Sequence, residues 1–263
     1  MNNIIFINEI NFLISDFLKT INKDDIKIYF MNNKINENDN FNKWIYKNIT
    51  DEQINFLKSN VNYSIECLKK INTNLVNKNS NLNYDLWKLC IFDNMFFNLP
   101  FTLEDVIFIP ISYINSSMNN LGLVDSLFNN KINKSFSKTL IHEKLHLLQR
   151  FNQDIWNKYI IENTNWRIVN KNIFFNSTFI NNNFIIYNPD TFYVIEKFVY
   201  DDNEKLYFGQ MLLNSKNEIK NIWYEIKELS DKINIYPTYV FNKKYEHPYE
   251  ELAYNMANDL SNN

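Results

Sequence analysis

One segment, residues 139–150, constrains the fold of this chain more than any other because it contains the pattern His-Glu-x-x-His. Apolar residues recur there at the three- and four-residue spacing of one helix face, which predicts a helix over residues 135–156. Those apolar residues are Ile141, Leu145 and Leu148. Four residues of helix correspond to about 400° of rotation and about 6 Å of rise. His142 and His146 therefore project from one face and can bind one metal ion.

Glu143 lies about 100° around this helix from His142. A carboxylate at that position is close to a metal held by the two histidines but outside its ligand set, where it can take a proton from water. The chain has only three histidines and 15 glutamates. Independent placement would produce the pattern roughly 0.002 times in such a chain, so its presence favours a metal site over a chance match on a core helix.

Composition and charge exclude several other classes of protein. The chain has 27 basic and 30 acidic residues, and the basic residues form no stripe of the kind that binds nucleic acid. No apolar run approaches the roughly 18–20 residues of a membrane span, and the N-terminal stretch lacks the basic region of a secretory signal. Cys67 and Cys90 stand alone, which argues against a disulfide framework. We expect a cytoplasmic protein with no nucleic-acid partner and no membrane partner.

The first part of the chain, to about residue 97, has mostly helical periodicity. Apolar residues recur at helical spacing over residues 7–18 and 54–68. Thr50 followed by Gln53 predicts a capping box at the start of the second of these helices. We expect a helical N-terminal subdomain over residues 1–97 within a single domain of residues 1–263, the remainder, 98–263, forming a metal-site core.

Patterns in residues 98–263 favour an α+β fold with a small antiparallel sheet beside the central helix. A β-type run ends at Pro110, and a polar loop is expected from there to Lys134. The polar cluster Asp201–Glu204 reads as a hairpin turn, and Gly209 as a bulge or a close backbone approach. Further strands are predicted at 172–187 and 191–213, helices at about 216–230 and 248–260, and surface loops at the Asn-rich segments 32–40, 72–83 and 181–183.

A catalytic zinc site needs three protein ligands and an open position, so two histidines do not complete it. Glu250 is one candidate, because Pro248 suits the first turn of a helix that would carry Glu250. That helix contains both alanines of the chain, and small residues allow a second helix to approach closely. His247, Glu251 and Asp190 are alternatives. Asp190 lies in an Asn-Pro-Asp-Thr turn signature, or in a loop from which it orients a ligand histidine.

At these residues the chain resembles the gluzincin type of zinc metallopeptidase. In that family a His-Glu-x-x-His helix is followed by a Glu-x-x-Ala helix whose glutamate is the third ligand. The matching residues are His142, Glu143, His146, Glu250 and Ala253. The metzincin pattern is excluded, because it needs Gly at 149 and His at 152 where this chain has Gln149 and Asn152. Segments within 99–110, 140–144 and 187–191 are also similar to uncharacterised zincin-like proteins of large DNA viruses.

The resemblance implies a zincin-like fold with a C-terminal ligand helix and one Zn²⁺ ion bound by His142, His146 and Glu250. It also implies hydrolysis of a peptide or protein substrate, in which Glu143 takes a proton from a zinc-activated water. We expect an extended substrate to pair with run 105–110 as an edge strand. A catalytically inactive binding module with a structural or vestigial zinc, and a hydrolase for non-peptide amides, remain alternatives.

The residue that stabilises a developing oxyanion is not identified by the sequence. A phenol or a guanidinium can donate to such an oxygen, so several residues are candidates by type. They are Tyr187, Tyr193, Tyr249, Tyr254, Arg150 and Arg167. In a chain that otherwise uses lysine, the two arginines are also candidates for holding a carboxylate, in a catalytic or a purely architectural role.

Overall fold

A computed structural model describes most of the chain. The described residues are 3–20, 40–71, 75, 85–93, 99–121, 132–169, 173–174, 184–185, 190–191, 194, 196–213, 219–229, 232–238 and 243–262. The predicted loop segments 32–40, 72–83 and 181–183 therefore lie almost entirely outside them, as do Tyr187 and Tyr193. Contacts divide the chain into two compact units, residues 1–151 with 253–263 and residues 152–252.

The described residues form six α-helices and two sheets, which confirms the α+β class. The helices are α1 (Asn11–Thr20), α2 (Asp51–Leu68), α3 (Ile111–Asn119), α4 (Lys134–Phe151), α5 (Gln153–Asn163) and α6 (Pro248–Asn262). The strands are β1 (Asn3–Phe6), β2 (Leu86–Phe92), β3 (Phe101–Leu103), β4 (Val106–Pro110), β5 (Trp166–Val169), β6 (Ile173–Phe174), β7 (Phe184–Ile185), β8 (Lys197–Asp202), β9 (Lys205–Leu213), β10 (Ile219–Leu229) and β11 (Lys232–Thr238). Among the described helices, none is long and apolar enough to cross a membrane.

The first unit contains a four-stranded sheet in the order β1-β2-β4-β3. Strands β1, β2 and β4 are parallel, and only β3 is antiparallel to its neighbour. The prediction of a mostly helical segment 1–97 is thus wrong for β1 and β2, and the sheet of this unit is mixed rather than antiparallel. Residues 89–92 of β2 are all buried. A strand covered on both faces shows no alternation of apolar and polar residues, so periodicity could not identify it.

Helix α2 packs against α4 in the same unit. The predicted capping box is confirmed, since the Thr50 hydroxyl accepts from the Gln53 amide at 3.2 Å and the Gln53 side chain accepts from the Thr50 amide at 2.9 Å. The rings of Phe56 on α2 and Phe136 on α4 lie 4.9 Å apart. Helix α2 is in this way packed against the start of the helix that carries the histidines.

Two elements around α4 differ from the prediction. Helix α3 begins directly after Pro110, where a polar loop was expected, and it buries Ile111 and Ile114. Its polar Asn and Ser residues hid this apolar pair. The helix predicted over 135–156 is also two helices, because Asn152, with φ −134° and ψ 41°, separates α4 from α5. No glycine or proline marks this break in the sequence.

The second unit contains a seven-stranded sheet in the order β5-β8-β9-β10-β11-β6, with β7 paired to β9. Hairpin β8–β9 turns at Asn203 and Glu204, whose φ angles of 52° and 73° are those of a two-residue type I′ turn. The predicted hairpin is confirmed for the described residues, in which its first strand is Lys197–Asp202; Phe192, Tyr193 and Ile195 lie outside them. A Cβ on Gly209 would lie 2.7 Å from the Glu246 carbonyl oxygen, which confirms the close backbone approach.

The helix predicted at 216–230 is wrong, because these residues include β10, which is antiparallel to both β9 and β11. Apolar residues in β10 occur at helix-like spacing, with Ile219, Ile222 and Ile226 three and four residues apart. In the structure the strand period decides burial instead. Tyr224 and Ile226, two residues apart, pack with Val199 in the core of this unit. The final helix α6 is confirmed at the predicted position.

Candidate metal centre

Helix α4 begins at a side-chain cap. The Asn133 side chain accepts a hydrogen bond from the Phe136 amide at 3.0 Å, in the manner of an N-cap residue. One turn further on, the buried Ser137 hydroxyl donates to the Asn60 side chain at 2.7 Å, and the Ser64 hydroxyl donates to the Ser137 carbonyl at 3.2 Å. These buried hydrogen bonds fix the start of α4 against α2, one to two turns before the histidines.

Lys144, between the two histidines, fastens α4 to strand β2. Its side chain is 1% exposed, its Nζ donates to the Leu86 carbonyl at 2.7 Å, and the same nitrogen lies 5.3 Å from the centre of the Trp87 ring. Burial lowers the pKa of Lys144 to about 8. A lysine held in this way restricts rotation of α4 about its axis, which keeps the histidine face in one orientation.

Three potential ligands come together at the histidine face. The Nε2 atoms of His142 and His146 are 3.0 Å apart, and one ligand atom from each of these residues and Glu250 lies within 4.8 Å of the others. His146 is fully buried, and the other two are half-buried. Two nitrogens bound to one tetrahedral zinc would be roughly 3.3 Å apart. The two histidines therefore have nearly the spacing that one shared zinc ion requires, and Glu250 completes a group of three residues that could hold an ion.

Helix α6 also contacts α4 one helical turn away from the ligand cluster. The Nζ of Lys138 on α4 lies 4.6 Å from the centre of the Tyr254 ring on α6. Lys138 is four residues before His142, and Tyr254 is four residues after Glu250, so each pair shares one helix face. The contact between Lys138 and Tyr254 therefore lies one turn from a member of the cluster on each helix.

The three alternatives to Glu250 lie outside the ligand cluster. The Glu251 carboxylate accepts from the Trp166 indole nitrogen at 2.7 Å and from Lys243 at 2.6 Å. The Nδ1 atom of His247 accepts from the Tyr249 amide at 3.2 Å, at the start of α6. Asp190 is buried, with 9% of its side chain exposed, and it is not a member of the three-residue cluster. The structure thus brings Glu250, rather than its sequence neighbours, to the histidines.

Glu143 is 3% exposed and follows the first histidine directly on α4. The Tyr113 hydroxyl on α3 is 2.7 Å from the Thr139 hydroxyl, one turn before Glu143 on the same helix face. Burial raises the pKa of the Tyr113 phenol, the hydrogen bond with Thr139 partly offsets this, and the negative charge of Glu143 adds to the rise. Sequence reasoning missed Tyr113, because it is one of 16 tyrosines and lies in a segment predicted as loop.

Gln149 is a second residue that sequence reasoning missed. Its side-chain oxygen lies 3.1 Å from Nδ1 of His146, and both residues have no exposed surface. At the sequence level, Gln149 was used only to exclude the metzincin pattern, which needs glycine at this position. The available signal was its spacing, since a residue three positions after a histidine on a helix is on the same face.

The two arginines bind main-chain and hydroxyl oxygens. Arg150 donates to the Thr102 hydroxyl at 2.8 Å, to the Thr102 carbonyl at 3.4 Å and to the Glu104 carbonyl. Arg167 donates to the carbonyls of Thr164 and Trp166, both at 3.0 Å, and its Nε lies 3.9 Å from a carboxylate oxygen of the half-buried Asp201. Arg150 therefore joins the end of α4 to the β3–β4 hairpin.

The remaining tyrosine candidates have structural contacts where the structure describes them. Tyr249 is 1% exposed, and its hydroxyl donates to the Asn157 side chain at 2.7 Å. Its pKa is raised, first by burial and then by the charges of Glu196 and Asp154. Tyr254 lies beside Lys138, as described above.

The predicted substrate-binding edge is corrected by the sheet order. Strand β4, which forms most of run 105–110, lies between β2 and β3 and is not an edge strand. The edge strand of this sheet on that side is β3, and the Thr102 carbonyl in it accepts from Arg150. The sequence could not show this, because the short strand β3 and the turn after it read as part of one β-run.

The donor set of the cluster suits a transition metal with borderline softness. Two imidazole nitrogens and one carboxylate oxygen are the protein ligands found in several catalytic zinc sites, where a fourth position stays open. Imidazole also disfavours the hard ions Mg²⁺ and Ca²⁺, which prefer all-oxygen sites. The residues present therefore fit one Zn²⁺ ion, and His142, His146 and Glu250 can hold it.

No protein-family model, no curated protein and no solved structure matches this chain.

Proposed function

We propose that this protein is a zinc-dependent hydrolase that cleaves peptide bonds, with zinc held by His142, His146 and Glu250 and with Glu143 as the general base. One observation carries the proposal: ligand atoms of His142, His146 and Glu250 lie within 4.8 Å of one another. The helix that supplies the two histidines also carries Glu143. A carboxylate one residue after the first ligand is near the metal without competing for it. A site built only to hold a structural metal has no need for that carboxylate.

Metal binding and proton transfer are assigned to different residues of the chain. A zinc ion in this site supplies Lewis-acid chemistry, which activates a water and polarises the carbonyl that it attacks. Glu143 accepts the proton of that water and donates a proton to the leaving nitrogen. Its burial, at 3% exposure, removes competing bulk water from the carboxylate. The Tyr113 hydroxyl, near the same helix face, donates to Thr139, whose own hydroxyl donates to the Ser135 carbonyl.

The test is Glu143→Gln, which removes the base and retains the volume of the side chain. We expect bound zinc to be unchanged and peptide hydrolysis to fall by at least about 10²-fold, the usual contribution of a general base. Zinc content by elemental analysis and cleavage of a mixed peptide library are the measurements. Hydrolysis at the wild-type rate in this variant would refute the mechanism.

Two controls make the result specific. Glu162→Gln is the same substitution on the exposed side of α5, where Glu162 pairs only weakly with Lys158 at 3.8 Å, and it should leave both readouts unchanged. His146→Ala should remove the zinc and the activity together. Zinc bound to the wild-type protein with no cleavage of any peptide would instead support the alternative of a catalytically inactive zinc-binding module.

A further inference from the structure

His146 is held from the side opposite its metal-facing nitrogen. Its Nε2 atom faces His142 at 3.0 Å, and its Nδ1 atom faces the Gln149 side-chain oxygen at 3.1 Å. Both residues are fully buried, so water does not replace this contact. Both ring nitrogens are thus in contact with another side chain. A nitrogen that faces an amide oxygen has to carry a hydrogen, whereas a nitrogen that binds a metal has to carry a free lone pair.

The contact with Gln149 bears on which nitrogen of His146 carries the proton, since the direction of this hydrogen bond depends on the tautomer. An amide oxygen accepts hydrogen bonds and cannot donate them, so the Nδ1 atom that faces it carries hydrogen. In a neutral imidazole the other nitrogen, Nε2, then has a free lone pair. A lone pair on Nε2 is what a metal ligand needs. The opposite tautomer would place a hydrogen on the nitrogen that faces the metal position.

We propose that Gln149 is the positioning residue of the metal site, which holds His146 in the Nδ1–H form and fixes the plane of its ring. This inference deepens the proposed zinc site and depends on it. Ligand histidines usually have such a partner, and loss of the partner typically weakens metal binding by 10–100-fold. Here the partner belongs to the same helix, three residues after the ligand, so α4 supplies both ligands and the residue that orients one of them.

Gln149 is also a neutral partner, which affects the charge of the site. With Zn²⁺ and the single carboxylate of Glu250, the metal and its ligands carry a net charge of about +1. A glutamate at position 149 would accept the same hydrogen bond and bring this charge close to zero. It would also make His146 a more basic ligand. We therefore expect Gln149→Glu to bind zinc at least as tightly as the wild-type protein.

The experiment measures zinc affinity of the full-length protein by competition with a chromogenic chelator. Gln149→Met, which retains the size of the side chain and removes the acceptor, should weaken zinc binding by 10–100-fold. Gln149→Glu should bind zinc with equal or higher affinity. Gln53→Met is the matched control, since it makes the same substitution at another buried, hydrogen-bonded glutamine, at the start of α2 and outside the ligand cluster, and its zinc affinity should be unchanged.

A second readout reports the tautomer directly. In the metal-free protein, long-range ¹H–¹⁵N spectra of the histidine rings should show His146 as the Nδ1–H form, and Gln149→Met should populate the Nε2–H form as well. Wild-type zinc affinity in Gln149→Met, or a 10-fold weaker affinity in Gln149→Glu, would refute the inference. Absence of zinc binding by the wild-type protein would refute the proposed function together with it, whereas loss of peptide cleavage alone would not affect it.

Discussion

The metal ligands come from two helices, and the two are positioned in different ways. On α4, His142 and His146 belong to a single helix, so the geometry of one helical turn sets their separation. On α6, Glu250 lies in the first turn, more than 100 residues later in the chain. Its position depends on contacts between residues that are distant in sequence. A local pattern therefore defines two ligands, and tertiary structure is required to define the third.

Helix α4 is fastened along its whole length by buried polar side chains of its own. Ser137 binds Asn60 near the start, Lys144 binds the Leu86 carbonyl in the middle, and Arg150 binds Thr102 at the end. All of these contacts are within the first unit. The histidines have buried anchors on both sides, which favours a preformed pair of ligands.

The first turn of α6 is held instead by contacts of residues next to Glu250 in the sequence. Glu251 binds Trp166 and Lys243, and the backbone before the helix is held by the large sheet of the second unit. The Trp223 indole donates to the Lys243 carbonyl at 3.1 Å, and the Asn221 side chain donates to the Lys244 carbonyl at 2.7 Å. Substitutions in this region should separate the role of Glu250 from the roles of the residues that hold its helix.

The largest expected difference is between two adjacent glutamates. Glu250→Gln should reduce zinc affinity by more than roughly 100-fold, because changes to the partners of ligands already cost 10–100-fold. Glu251→Gln should leave zinc affinity unchanged and reduce the free energy of unfolding by about 1 kcal/mol, since it weakens the hydrogen bonds to Trp166 and Lys243. Chelator competition and urea unfolding of the metal-free proteins measure the two effects.

Each of these two variants is the control for the other, because both replace a glutamate by glutamine in the first turn of the same helix. Equal loss of zinc in both variants would mean that the first turn of α6 acts as a unit, and the assignment of Glu250 as the ligand would be wrong. Retention of zinc in Glu250→Gln together with its loss in Glu251→Gln would exchange the two roles.

The sequence predicted the parts of the site that follow from local geometry. The rarity of histidine made the pattern at 142–146 significant, and a helix fixes the relative directions of its side chains. The start of α2 at Thr50 and the turn at Asn203 were predicted for the same reason, since capping and type I′ turns involve only a few consecutive residues. Proline before Glu250 and the two alanines after it predicted α6 correctly.

The sequence failed where pairing or burial decides the structure. Strand β10 has helix-like spacing of its apolar residues, and only its pairing with β9 and β11 makes it a strand. Strand β2 has no period because it is buried on both faces. Tyr113 could not be singled out, since its role depends on which side chains face it. These are non-local properties that a single sequence does not contain.

The approach of β9 to the segment before α6 gives the next largest effect. A Cβ at position 209 would lie 2.7 and 2.8 Å from the carbonyl oxygen and Cα of Glu246, and backbone atoms cannot move aside as a side chain can. Gly209→Ala should therefore reduce the free energy of unfolding by up to about 3 kcal/mol. Urea unfolding at pH 7 measures the change.

A glycine placed nearby in the same hairpin should have the opposite effect. Glu204 has a φ of 73°, which glycine adopts without strain, so Glu204→Gly should increase the free energy of unfolding by up to about 1 kcal/mol. Opposite signs for the two variants would show that local geometry, and not general sensitivity of the hairpin, accounts for both. Wild-type stability of Gly209→Ala would contradict the close approach and the fixed entry into α6.

The smallest expected effect concerns Tyr249, beside the ligand in the first turn of α6. Tyr249→Phe removes the hydrogen bond to Asn157 and leaves a buried amide oxygen without its donor, so the free energy of unfolding at pH 7 should fall by about 1 kcal/mol. Zinc affinity should not change, because the Tyr249 hydroxyl is bound to Asn157.

The pH dependence of this variant supplies the check. Burial raises the pKa of Tyr249 in the folded protein above its ordinary value of 10.0, with Glu196 and Asp154 adding to the rise. The folded state then retains the phenol proton at a pH where the unfolded state releases it. The contribution of Tyr249 to stability is complete below pH 10 and is lost as the pH rises above that value. Since phenylalanine does not ionise, the stability difference between wild type and Tyr249→Phe should narrow between pH 7 and pH 10.5, as measured by urea unfolding. A constant difference over this range would mean that Tyr249 ionises equally in both states, which would contradict its burial in the folded protein.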